Sequence, residues 1–85
     1  MEKAEKKQIS FVEIVEQELK NAREIYPPFN SLHEAYAVIL EEVKEFETEV
    51  FRKPHERHPE QIMKELVQVA AMCQRAVEDC LLTSK

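Results

Sequence analysis

The chain has 85 residues, 44% hydrophobic and 34% charged, enough for one domain. It contains no glycine, so it cannot build a glycine-rich phosphate loop, a dinucleotide-binding turn or a glycine hairpin, each of which needs glycine's backbone freedom. With 17 acidic residues against 12 Lys and Arg and a net charge of −5, it also lacks the clustered cations that a nucleic-acid backbone requires.

Residues 1–8 read as a flexible N-terminal tail, and residues 9–85 as a single all-α domain. From Ile9 to Ile25, Val12, Val15, Leu19 and Ala22 recur at steps of three and four and mark one face of a helix. Pro27 and Pro28 stop it, because neither ring can donate a helical hydrogen bond. Ser31-Leu32-His33-Glu34 has the form of a capping box, with the Ser hydroxyl accepting from the Glu34 backbone and Glu34 reaching back. The helix it opens carries an apolar stripe at Leu32, Ala35, Tyr36, Ile39, Val43, Phe46 and Val50, and ends near Arg52. A polar connector runs from Lys53 to His58, and Pro59 suits the first position of a third helix. That helix has its stripe at Ile62, Leu66, Val69, Cys73, Ala76 or Val77, and Cys80. The short connector predicts that the second and third helices form an antiparallel hairpin.

Three such helices make a thin core, since below about 80 residues one core seldom supplies more than roughly 3–5 kcal/mol. The expectation is therefore a four-helix-type bundle completed by a second copy, as a homodimer or homotetramer. Cys73 and Cys80 lie about 10 Å apart along one helix, too far to bridge. They are expected as core thiols in a reducing cytosol, with an intersubunit disulfide as the alternative. The charged N-terminus lacks the apolar segment of a secretory signal, and no apolar run is long enough to span a membrane. A soluble cytoplasmic protein with neither nucleic-acid nor membrane partners is expected.

Sixteen of the 17 acids are Glu, so Glu-x-x-Glu pairs arise easily, at Glu2/Glu5, Glu13/Glu16 and Glu42/Glu45. Direction on the helical wheel separates them. Glu42 falls roughly 70° from the centre of the second helix's stripe, with Glu45 and Glu49 further round the same flank. On the third helix Glu65 stands at a similar angle, and Gln68 and Met72 continue its flank. Folding the hairpin near residue 55 or 56 brings Glu42, Glu45, Glu65 and Gln68 to one level if the flanks face each other. Three converging carboxylates raise one another's pKa and destabilise the fold unless a cation neutralises them. Oxygen ligands without Cys or His suit Mg²⁺ or Mn²⁺. The alternative is a solvated or salt-bridged helix flank.

The run His33-Glu34-Ala35-Tyr36-Ala37-Val38-Ile39-Leu40-Glu41-Glu42-Val43-Lys44-Glu45, followed by Lys64-Glu65-Leu66-Val67-Gln68-Val69-Ala70-Ala71-Met72, resembles the MazG-like branch of the all-α nucleoside triphosphate pyrophosphohydrolases. The family pattern is E-E-x-x-E, a spacer, then E-x-x-D. Here the halves are EEVKE at 41–45 and ELVQ at 65–68, separated by nineteen residues, within a resemblance covering about residues 30–82. The resemblance implies a Mg²⁺-dependent hydrolysis of a (d)NTP to the monophosphate and pyrophosphate, a house-cleaning activity, in helices that dimerise or tetramerise. Glu42, Glu45 and Glu65 would be metal ligands, and Glu41 would orient a ligand or water. Gln68 stands where the family has Asp; its amide oxygen can coordinate Mg²⁺ but carries no charge and cannot act as a base. A non-catalytic helical module that binds a nucleotide or partner is the alternative.

Arg75 and Asp79 continue the Glu65 flank and could extend the site toward a phosphate or a second acid, although surface positions are the plainer expectation for both. His55 and His58 read as loop histidines for want of a third ligand beside them. His33 belongs to the helix start. Tyr36 and Phe46 are expected in the core, with nucleobase stacking as the alternative.

Overall fold

Three helices, α1 (Phe11–Ile25), α2 (Leu32–Val50) and α3 (Pro59–Ala76), make up the computed structural model, which describes residues 9–82 and contains no strand among them. The expected tail at residues 1–8 lies outside the described residues. A 3₁₀ turn at Pro54–Glu56 interrupts the connector, and a π-helical turn at Val77–Leu81 extends α3.

Local chemistry explains the helix ends. Ser10 and Glu13 form a full capping box on α1, with the Ser10 hydroxyl accepting from the Glu13 amide and the Glu13 carboxylate accepting from the Ser10 amide. At α2 only half of the expected box forms. Ser31 Oγ accepts from the Glu34 amide at 3.1 Å, but Glu34 accepts from Asn30, one residue before the cap, at 2.6 Å. Pro59 opens α3, where its missing N–H costs no helical bond.

α3 is the central helix and packs against both α1 and α2. The α2–α3 hairpin is antiparallel, as its seam records. Glu42 shares a cavity wall with Gln68, Glu45 meets Glu65, and Glu49 shares a second hollow with Gln61, so each step forward on α2 is a step back on α3.

The core comprises Val15, Ala22, Phe29, Ala35, Val67, Ala71, Met72 and Ala76. Half of these are alanines, and no large side chain is fully enclosed. Small residues let the helices approach closely but bury little apolar surface each. On α1 the expected face holds at Val15 and Ala22, whereas Val12 is exposed.

The two longer helices are rotated relative to their sequence stripes. On α3 the buried sector runs through Glu65, Val67, Ala71, Met72, Arg75 and Ala76. At 100° per residue this sector is centred roughly 130° from the apolar stripe. Leu66, Cys73 and Val77 consequently face outward, while Ile62, Val69 and Cys80 are half-buried. Cys73 is thus an exposed thiol rather than a core one. On α2 the covered side has moved toward the Glu42 flank: Ala35 and Glu49 are buried, Phe46 and Val50 half-buried, and Leu32, Tyr36 and Val43 open. Tyr36, expected in the core, lies outside it. The physical reason is that α3 serves two neighbours, so its buried face falls between them. Both rotations turn the acidic flanks into the seam and leave apolar stripes outside. No helix among the described residues is long and apolar enough to cross a membrane.

Candidate metal centre and adjoining cavity

Seven-residue steps align side chains on a helix, so Glu42 and Glu49 share a line on α2, with Glu45 between them. Gln61 and Gln68 do the same on α3, with Glu65 between. Where these lines meet, Glu42, Glu45 and Glu65 each bring a carboxylate oxygen within 4.8 Å of the other two. Glu65 is buried, Glu42 half-buried and Glu45 exposed, so the group opens from the seam toward solvent. Gln61 Nε2 donates to Glu65 Oε2 at 2.7 Å and holds that carboxylate in place. One turn further along α2, the buried Glu49 accepts from Arg52 Nε at 3.0 Å.

Among the described residues Lys64 offsets part of this negative charge, at Glu45. Desolvation against the seam raises the Glu42 carboxyl above its ordinary value, and the charges of Glu45, Glu65, Glu41 and Glu18 push it further. The Glu45 carboxyl is also raised: by desolvation where it meets α3, then by the charge of Glu65 and a hydrogen bond with it, against a smaller opposing influence of Lys64. With Glu42 and Glu45 both raised, these two carboxyls hold a proton more readily than isolated glutamates do when no cation is bound. A divalent cation takes that proton's place. Three carboxylates with no nitrogen or sulfur among them are a hard-oxygen set, which fits Mg²⁺ or Mn²⁺. Gln68 is half-buried one turn along α3 and can add a neutral amide oxygen. Glu41 is exposed and, with Glu42 and Gln68, lines the adjoining cavity.

That cavity, about 450 Å³, lies between α1, the loop before α2, and the α2–α3 seam. Its far wall contains Arg75, which is 4% exposed and not the surface residue expected. One Arg75 Nη donates to the Pro27 carbonyl at 3.1 Å and the other to the Met72 sulfur at 3.3 Å. The guanidinium carbon stands 3.9 Å from the Phe29 ring centre and 5.7 Å from that of Tyr26.

Asp79 is shielded as well and belongs to a clasp rather than to the group of three converging acids. Arg23 Nη2 approaches Asp79 Oδ1 at 2.8 Å and Glu78 Oε1 at 2.9 Å, and the Phe29 amide donates to Asp79 Oδ2 at 2.9 Å. Burial opposes ionisation of Asp79, but the Arg23 hydrogen bond, the Phe29 amide and the charges of Arg23 and Arg75 outweigh it and hold the carboxyl below 3.8. Glu78 is likewise lowered, by hydrogen bonds from Gln74 and Arg23. The clasp ties α1, the loop and the π-helical turn together around Arg75.

The structure therefore brings Glu42, Glu45 and Glu65 together, sets Glu41 and Gln68 at the rim, puts Arg75 in the cavity wall and places Asp79 behind it. Sequence reasoning missed the clasp and the burial of Glu49. The spacing of Arg23 from Asp79 leaves no local signal, whereas Glu49 already stands on the Glu42 flank in the sequence and its burial follows once that flank turns into the seam. His55 and His58 are exposed in the connector, as expected of loop histidines. No protein-family model, curated protein or solved structure matches this chain, so the functional reading rests on these residues and their geometry.

Proposed function

We propose that the chain is a Mg²⁺-dependent nucleoside triphosphate pyrophosphohydrolase that converts a (d)NTP to the monophosphate and pyrophosphate. The convergence of Glu42, Glu45 and Glu65 within 4.8 Å on facing helices, next to a nucleotide-sized cavity, carries this reading. The resemblance of residues 30–82 to the MazG-like enzymes points the same way.

Glu42, Glu45 and Glu65 would hold the cation, with the Gln68 amide oxygen as a neutral fourth ligand. A bound Mg²⁺ or Mn²⁺ polarises phosphoryl oxygens and offsets their charge, which lets an acidic protein accept a triphosphate. The chain's own groups supply the rest. Glu41 orients a water toward the α-phosphorus. Attack forms a new P–O bond and breaks the bond to the α–β bridging oxygen, whose electron pair leaves with pyrophosphate. A carboxylate of the group takes the water's proton. The outward stripes through Leu32, Tyr36 and Val43 and through Leu66, Cys73 and Val77 are the surfaces through which a second copy completes the bundle.

Incubation with each NTP and dNTP plus Mg²⁺ or Mn²⁺, read by pyrophosphate release, tests the reading. Release that is abolished in Glu42→Gln and Glu65→Gln is the expected outcome. The absence of turnover with every nucleotide sinks it. Gln68 favours a second reading, a non-catalytic nucleotide-binding module, because an amide in place of the pattern's Asp removes one negative charge from the metal group. Under that reading nucleotides bind without turnover.

A further inference from the structure

The cavity beside Glu42 has two kinds of wall. Tyr26, Val38 and Met72 form an apolar slot of a size usual for small-molecule sites. Along its rim stand Glu18, Glu34 and Glu41, and an ionised carboxylate can only accept hydrogen bonds. The one cation lining the slot among the described residues is Arg75, and its donors turn to the Pro27 carbonyl and the Met72 sulfur. Its Nε has no hydrogen-bond partner among the described residues and is fully buried, so it offers a base in the slot no accessible donor. An acceptor-rich rim over an apolar slot, sharing Glu42 with the metal group, has the character of a base-reading site.

We propose that this slot takes the nucleobase and selects bases carrying an exocyclic amino group, namely cytosine, adenine and guanine, over uracil and thymine. This rests on the pyrophosphohydrolase reading for the triphosphate tail, but the base contacts themselves do not need hydrolysis. An amino N–H donates to a rim carboxylate. A carbonyl oxygen at the same place is set against carboxylate oxygens, acceptor facing acceptor, with neither satisfied. Glu18 is the cleanest rim residue to change: it is half-buried on α1, near enough for its charge to reach Glu42, and not one of the three converging acids. Replacing it with Gln keeps the shape and adds an N–H donor that a carbonyl can use.

Two measurements on the full chain test the proposal. The first compares kcat/KM for dCTP, dATP and dGTP with that for dUTP and dTTP. A preference of at least about tenfold for the amino-bearing bases, narrowed severalfold in Glu18→Gln, is expected. Equal or better turnover of dUTP and dTTP overturns the proposal, as does a preference that Glu18→Gln leaves unmoved. The second measures equilibrium binding of dCMP and dUMP, which differ at the 4-position of the base (amino against carbonyl) and in the hydrogen on the neighbouring N3, to the wild type and to Glu18→Gln. If no triphosphate is hydrolysed but dCMP binds at least about tenfold tighter than dUMP and the variant erases the difference, the activity falls and the base slot stands. Equal binding of the two, or binding of neither, overturns the slot itself.

Discussion

Replacing Glu45 with Gln should stabilise the cation-free protein, an unusual result for removing a charged surface residue. The ligand oxygens of Glu42, Glu45 and Glu65 lie within 4.8 Å of one another. At that distance each ionised pair costs between about 0.9 kcal/mol in a water-like medium and about 3.5 kcal/mol at an effective dielectric near 20. Glu45 is exposed, so the low end applies, and proton uptake relieves part of the strain. Two of the three pairs vanish with the substitution, giving a gain of about 1–2 kcal/mol. In a domain of this size that raises Tm by roughly 5–15 °C. Metal should reverse the order. A cation at about 100 times its Kd adds roughly 2.7 kcal/mol to the wild type, and less to a variant lacking one ligand. Thermal melts of both proteins in EDTA and in millimolar Mg²⁺ or Mn²⁺ make the comparison. A variant that melts lower than the wild type in EDTA, or a wild type whose Tm ignores both metals, refutes the reasoning.

The pH dependence should have two limbs. Glu42 and Glu45 are raised, so they destabilise the cation-free fold when ionised, and stability should increase as pH falls through their raised values toward 4.5. Glu78 and Asp79 are lowered, so their contribution is complete above 4.5 and 3.8 and is lost as pH falls further; Arg23→Ala should flatten this acid limb in urea titrations at stepped pH. Arg75→Ala should cost about 2–4 kcal/mol by urea denaturation, because it empties a buried site and frees the Pro27 carbonyl. Arg75→Lys should recover little of that, since an ammonium cannot lie flat over the Phe29 ring and reach both partners. Leu66→Glu, on the outward stripe of α3, should shift sedimentation from an oligomer to the monomer without unfolding the protomer.

The helices could be read from the chain because their signals are local. Paired prolines at 27 and 28, Ser31 before an apolar period and Pro59 after a polar connector each act within a turn of where they stand. Direction was legible as well: the wheel put Glu42, Glu45 and Glu65 on matching flanks, and they meet. Burial was less legible, because hydrophobicity marks what a helix must cover somewhere, not which neighbour covers it. Leu66, Cys73 and Val77 belong to an apolar stripe that the single chain leaves open, while Arg75 is buried through partners 48 and 46 positions away in the sequence, the Pro27 carbonyl and the Phe29 ring. The clasp of Arg23 with Glu78 and Asp79 is equally long-range, and only packing reveals it.

Hydrolysis of a turned-over nucleotide in ¹⁸O-labelled water, with the products resolved by mass, tests the proposed chemistry most directly. Water attacking the α-phosphorus leaves one labelled oxygen in the monophosphate and none in pyrophosphate, and Glu65→Gln abolishes both products. Label in pyrophosphate, release of orthophosphate instead, or no product from any triphosphate contradicts the account.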